Sequence, residues 1–171
     1  SGNISEILNF RGGGMAIHGG LLGGVLAGYI YTKVKKLNFF KMADCVVLGI
    51  PLAQAIGRWG NYLNKEAHGG PTDLPWGIMV DGVKVHPTFL YESIWDLGVF
   101  IFLMLFRKKQ KYEGQILVYY ITLYSIGRFF IEGLRTDSLM LGPLRMAQVI
   151  SLGFILIGVI LNYVLSRKNK R

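Results

Sequence analysis

The sequence predicts an all-α fold, a polytopic membrane helical bundle with about five transmembrane helices, its N-terminus outside and its C-terminus cytoplasmic. Composition points there first: 51% of the 171 residues are hydrophobic, and the mean hydropathy is +0.39. The apolar residues also form long blocks at 15–33, 42–63, 88–106, 115–133 and 146–165, each near the roughly 20 residues of helix that cross the hydrocarbon. Charge is the third observation. Lys and Arg number 19 against 10 Asp and Glu, and most of the bases gather in three clusters: Lys33, Lys35, Lys36 and Lys41; Arg107, Lys108, Lys109 and Lys111; Arg167, Lys168, Lys170 and Arg171. These fall in every second connection, as the positive-inside rule requires of one consistent topology. The clusters are then cytoplasmic, the loops near 64–87 and 134–145 lie outside, and the positive excess calls for no nucleic acid partner.

The first block begins His18-Gly19-Gly20 and carries small residues at 20, 24 and 28 and again at 19, 23 and 27. Such stripes let another helix approach closely. The chain opens at Ser1 without an initiator methionine or a signal peptide, so further residues are expected upstream to carry an external start across the membrane. The second block holds the single cysteine, Cys45, which excludes an internal disulfide and reads as a small buried filler rather than a nucleophile. In the connection from Lys65 to Val85, Gly69-Gly70-Pro71 and Asp81-Gly82 are turn signals, and Ile78-Met79-Val80 followed by Val83 reads as a short hairpin. The remaining loops are brief, so consecutive spans are expected to pack as antiparallel neighbours in one transmembrane catalytic domain over 1–171.

Ionisable groups within or at the rim of a span are costly and are functional candidates by default. Here they are His18, Arg58, His86, Glu92, Asp96, Arg128 and Glu132, with Asn61, Asn64, Glu66, His68 and Arg135 beside them. Under the topology above, four segments distant in sequence deliver these groups to one depth near the outer face. The cytoplasmic ends offer mainly solvated lysines. Tyr124, Arg128, Glu132 and Arg135 follow i, i+4, i+8 and i+11 and share one helical face, as Arg58 and Asn61 do at i and i+3. Two arginines can therefore converge from facing helices, where planar guanidinium groups grip a phosphate bidentately. An anionic phospholipid headgroup is the natural ligand at that depth.

Plainer readings compete. Either arginine alone serves equally well as a snorkelling interface anchor, although the pair flanked by amides and carboxylates favours a site. His86, beside Pro87, fits a structural or a functional role, and the glycines next to His18 leave room for a ligand. Glu132 reads as an ion-pair brace for Arg128 and Arg135. Trp59, Tyr62, Trp76, Tyr91 and Trp95 are most simply interface-belt aromatics. Three scattered histidines and a lone cysteine make no metal site, and no cofactor is expected.

Four motifs carry a resemblance: His18-Gly19-Gly20-Leu21; Gly57-Arg58-Trp59-Gly60-Asn61-Tyr62-Leu63-Asn64-Lys65-Glu66; His86-Pro87-Thr88-Phe89-Leu90-Tyr91-Glu92; and Gly127-Arg128-Phe129-Phe130-Ile131-Glu132-Gly133-Leu134-Arg135. Together, in order and spacing, they resemble the prolipoprotein diacylglyceryl transferase family of bacterial membrane enzymes, the second motif being the most specific. The resemblance implies transfer of the diacylglyceryl group of phosphatidylglycerol to the lipobox cysteine thiol of a preprolipoprotein. A thioether forms and glycerol phosphate leaves, at the outer face of the cytoplasmic (inner) membrane. The family normally carries two further spans and an external arm ahead of the HGG segment, which have no counterpart in these 171 residues. His18 is then expected to act as base or proton relay, with His86 or Glu66 as alternatives. Arg58 and Arg128 are expected to form the phosphate clamp, with Asn61, Glu132 and Tyr124 as orienters and Asn64, Glu66, Gly69, His86 and Arg135 completing the substrate site. The rival classes are a lipid or anion transporter with an arginine-lined site, whose mark would be broken helices at midplane and polar groups on both sides, and a purely structural membrane subunit.

Overall fold

In the computed structural model, residues 16–136 and 140–168 are described, and the chain's contacts divide it after Met42 into two units. The first unit holds helix α1 (Ala16–Val34) and the start of α2 (Phe39–Val47). Helix α1 stops where Lys36 takes a left-handed φ of 55°, with Lys33 in its last turn, where a cation suits the helix dipole. Buried Thr32 donates its hydroxyl to the Tyr29 carbonyl at 2.8 Å. The Asn38 side chain then accepts the Phe40 N–H at 2.9 Å, capping α2 as Asn does at helix starts. Of the small-residue stripes, Gly28 makes the foreseen close approach, a Cβ there lying 3.1 Å from the Met42 side chain, while Gly19, Gly20, Gly23 and Gly24 face open space. His18 falls in the first turn of α1; its side chain lies outside the described residues, as do residues 137–139 of the loop near 134–145 and, from the last basic cluster, Lys170, Arg171 and the side chain of Lys168.

In the second unit the block at 42–63 is not one helix. Helices α2 and α3 (Ile50–Leu63) meet at a bend of 41°, with Pro51 in the first turn of α3, where its missing N–H and fixed φ are tolerated. Helix α2 buries Ala43, Asp44 and Val47, which turns Cys45 outward. The cysteine is exposed, not the buried filler expected from its place in an apolar block.

The connection after α3 contains the foreseen hairpin, strands β1 (Ile78–Val80) and β2 (Val83–Val85) in antiparallel register with Ile78 opposite Val85. Asp81 and Gly82 take φ values of 48° and 83°, the paired positive dihedrals of a two-residue turn whose twist matches the strands. Helices α4 (Thr88–Phe106) and α5 (Gln115–Glu132) follow, and a ribbon of β3 (Met140–Leu141) and β4 (Leu144–Arg145) leads into α6 (Met146–Lys168). Consecutive helices from α3 to α6 pack against one another, and Val47, Val99, Leu103 and Ile116 form a buried core among α2, α4 and α5.

By length and apolar composition, two of the described helical stretches can cross a membrane, Thr88–Lys109 and Met146–Arg167, and a third if the bent α2–α3 pair counts as one span. Helices α1 and α5 fall below that measure for separate reasons. The glycines of α1 add little hydropathy. Helix α5 carries Gln115, Arg128 and Glu132, which lower its hydropathy, and it buries all but Arg128 of these together with Ser125. Helix α6 shows the converse pattern, with Ile150, Leu156, Val159, Ile160 and Val164 exposed, as suits a face turned to hydrocarbon.

Candidate functional site

Polar contacts set α3, α4 and α5 side by side. Ser93 donates to the Ala55 carbonyl at 2.8 Å, Tyr120 donates to Gln54 Oε1 at 3.1 Å, and the Trp95 indole N–H donates to the Leu123 carbonyl at 2.9 Å. Contacts made by two arginines join the same helices. Glycine at 127 is what admits Trp95: the indole occupies the space that a Cβ would need. Trp95 therefore ties two helices together in addition to lying near the rim, and it holds Glu92, one turn away on α4, against α5.

Glu92 is the centre of the site. Its Oε2 pairs with Arg58 Nε and its Oε1 with Arg128 Nη1, while Arg128 Nη2 reaches Glu132 Oε2 at 2.6 Å. Arg58 Nη2 also donates to the Tyr124 hydroxyl at 3.4 Å. Arg58, Glu92, Tyr124, Arg128 and Glu132 thus form one connected network drawn from three helices. The two carboxylate side chains are only 6% and 4% exposed, whereas the arginines are 21% and 19% exposed. The open side of the network is therefore cationic, although two carboxylates offset its two guanidiniums. Asp96, one helical turn from Glu92, is 2% exposed, and its Oδ2 has no hydrogen-bond partner among the described residues.

A second polar group sits where α3 ends. Asn61 and Asn64 donate their amides to Glu66 Oε1 at 3.4 and 3.1 Å, and left-handed φ values at Lys65 (54°) and Ala67 (57°) turn the chain back on itself. The loop is then stitched down at Gly69, whose N–H donates to the His86 carbonyl at 2.9 Å and which bridges to Arg135. A Cβ on Gly69 would lie 2.6 Å from His86 Cβ and 3.0 Å from the Leu134 carbonyl, so the close approach requires glycine. Gly69→Ala is accordingly expected to cost about 1–3 kcal/mol and to speed proteolysis within 64–87; a protease-resistant loop in that variant would refute the fit.

Sequence reasoning placed Arg58, Tyr124, Arg128 and Glu132 together, and the structure joins them. Asn61, Asn64 and Glu66 form a neighbouring cluster that shares α3 with Arg58. Gly69, His86 and Arg135 are linked through the backbone at the end of α5, and His86 Nδ1 lies 3.4 Å from the Tyr91 hydroxyl. Glu92 was noted as costly in a span but assigned no place among the site residues; its signal was a carboxylate four residues from Asp96 on one face of α4. The aromatics read as a belt are half exposed yet engaged: Tyr62 stacks on Phe89 with centroids 4.9 Å apart, and Trp76 donates to the Tyr91 hydroxyl at 2.9 Å.

The apolar helices define a helical membrane protein, and the arginine–carboxylate network on three of its helices is the candidate site. Comparison with known proteins gives the class a family. The family model for prolipoprotein diacylglyceryl transferase matches residues 1–164, and the chain belongs to that family. It is 77% identical over 168 residues to the phosphatidylglycerol–prolipoprotein diacylglyceryl transferase of Clostridioides difficile, covering 98% of this chain and 68% of that protein. The proteins of the same name from Finegoldia magna and Clostridium novyi are each 54% identical, over 94% and 98% of this chain and 65% and 69% of their own lengths. The chain thus spans about two thirds of the length of these relatives.

Proposed function

We propose that this protein transfers the diacylglyceryl group of phosphatidylglycerol to the lipobox cysteine thiol of a preprolipoprotein; the names of its relatives give them phosphatidylglycerol, a prolipoprotein and diacylglyceryl transfer. The observation that carries the reading onto these residues is the convergence of Arg58 and Arg128 on one buried carboxylate, Glu92. Guanidinium groups held that way are oriented before a phosphate arrives, so little ordering is left to be done on binding. In the reaction the thiol loses its proton, sulfur bonds to the glycerol carbon, the carbon–oxygen bond to phosphate breaks, and its electron pair leaves with glycerol phosphate. Arg58 and Arg128 take the phosphate oxygens and stabilise the charge that grows on them. Tyr124 and Glu132 orient the pair, while Asn61, Asn64, Glu66, Gly69, His86 and Arg135 shape the substrate side. His18 serves as base or proton relay. Five spans, a multi-pass place in the cytoplasmic membrane and a site turned to its outer face complete the reading, supported by the alternating basic clusters.

The test is transfer from phosphatidylglycerol to a lipobox peptide in detergent, with the Clostridioides difficile relative as positive control. Transfer that falls to background in Arg58→Ala is the expected result. Folded protein that binds phosphatidylglycerol but transfers nothing would favour a lipid or anion carrier instead.

A further inference from the structure

Three buried carboxyl groups share two guanidiniums in this site, and they do not share them equally. Glu92 touches both arginines and Glu132 touches Arg128. Asp96 is as deeply buried, yet among the described residues its Oδ2 has no hydrogen-bond partner; the Oε2 atoms of Glu92 and Glu132 also lack a hydrogen bond, but each lies in an ion pair with arginine. The charged and titratable groups facing it are Arg58 from α3, Glu92 from its own helix, and Tyr120, Tyr124 and Arg128 from α5, with Glu132 behind Arg128. Among the described residues, then, the positive charge that tolerates an ionised Asp96 comes from Arg58 and Arg128, the same two groups that a phosphate would claim.

We propose that Asp96 is a further working residue of this site, the carboxyl that takes up a proton when an anionic phosphate occupies Arg58 and Arg128. The inference rests on the phosphate-clamp reading above. Once phosphate oxygens draw both guanidiniums, a buried carboxylate without a direct partner is left uncompensated, and an uncompensated buried charge is far more costly than a neutral acid in the same place. Glu92 and Glu132 hold their partners by contact; Asp96 holds its partners only through the field, so it is the first to neutralise. Its role is to let the site accept a negative ligand without accumulating negative charge in low dielectric.

Linkage fixes the sign. Binding that takes up a proton weakens as pH rises, by up to about tenfold per pH unit where uptake is complete. The experiment is calorimetric titration of the full chain in detergent with short-chain phosphatidylglycerol, at one pH in two buffers of different ionisation enthalpy, repeated across pH. The wild type is expected to take up at most one proton, more at the higher pH where Asp96 starts ionised, and its affinity to fall as pH rises. In Asp96→Asn the uptake disappears and the affinity no longer depends on pH. Asp96→Glu, which keeps the carboxyl, retains both and guards against a folding defect in the amide variant. In turnover the pH dependence should appear in KM and flatten in Asp96→Asn. Uptake that persists in Asp96→Asn assigns the proton to Glu92 or Glu132 and overturns the proposal, as does a folded Asp96→Glu that takes up none. Wild-type binding without uptake removes the role of Asp96 and leaves the clamp standing. No phosphatidylglycerol binding at all removes both.

Discussion

Replacing Arg128 by Ala is expected to lower diacylglyceryl transfer at least about a hundredfold, the effect of losing roughly 2–4 kcal/mol of transition-state stabilisation at one charge-assisted clamp. Arg128 stands at the middle of the network, with one nitrogen on Glu92 and another on Glu132. Its removal also takes a guanidinium from two buried carboxylates, Glu92 keeping its pair with Arg58, and truncating one partner of such a pair costs about 3–5 kcal/mol of stability. Activity and folding would fall together, and the single variant cannot separate them. Adding Glu132→Gln removes one of the two buried charges that Arg128 offsets, so Arg128→Ala with Glu132→Gln should melt closer to the wild type than Arg128→Ala alone while remaining as inactive. Arg128→Lys tests geometry rather than charge, since a single ammonium on a flexible stem does not reproduce a planar fork that reaches Glu92 and Glu132 at once. Near wild-type turnover from folded Arg128→Ala protein would remove the clamp role outright.

The helices were largely legible because their cause is local. Residues 88–106 and 115–133 read as blocks from hydropathy alone, and α4 and α5 occupy almost those bounds. The break between α2 and α3 was not legible: Val47-Leu48-Gly49-Ile50-Pro51 is apolar throughout, so a hydropathy block runs across a bend that is set by backbone chemistry. Half of the site could be read from helical spacing, since Tyr124, Arg128 and Glu132 lie on one face of α5 by arithmetic. The other half could not, because the pairing of Arg58 with Glu92 depends on how α3 and α4 are set against each other, which rests on Ser93 reaching Ala55, and the pairing of Arg128 with Glu92 rests on Trp95 lying over Gly127. Cys45 was misplaced for a related reason. Position within an apolar block says nothing about which face turns inward, and here Asp44 decides it.

Asp44 is expected to give the largest stability effect away from the arginine network, with Asp44→Ala costing about 3–5 kcal/mol. Its carboxylate is 5% exposed and accepts the Gln110 amide at 2.5 Å, the Gly114 N–H at 2.6 Å and the Leu117 N–H at 2.9 Å. Gly114 is the residue that opens α5, in a left-handed conformation with φ of 91°. A side chain from α2 therefore caps a helix far along the chain, placing a negative charge where the free N–H groups and the dipole favour one. An ordinary N-cap substitution costs about 1 kcal/mol; here one buried and two partly buried donors lose their acceptor together, which raises the cost. Asp44→Asn keeps one acceptor oxygen but loses the charge, and should fall between. Arg128 lies about 21 Å along α5 from Gly114 at 1.5 Å per residue, so transfer per folded molecule should be unchanged in Asp44→Ala even as the melting temperature drops. That contrast also bears on the transporter reading, which asks for functional polar groups at both ends of the helices. Every acceptor interaction of Asp44 goes to a backbone N–H or an amide of its own chain, as in a cap rather than a second binding site. An Asp44→Ala protein as stable as the wild type, yet with its transfer abolished, would reverse that assignment.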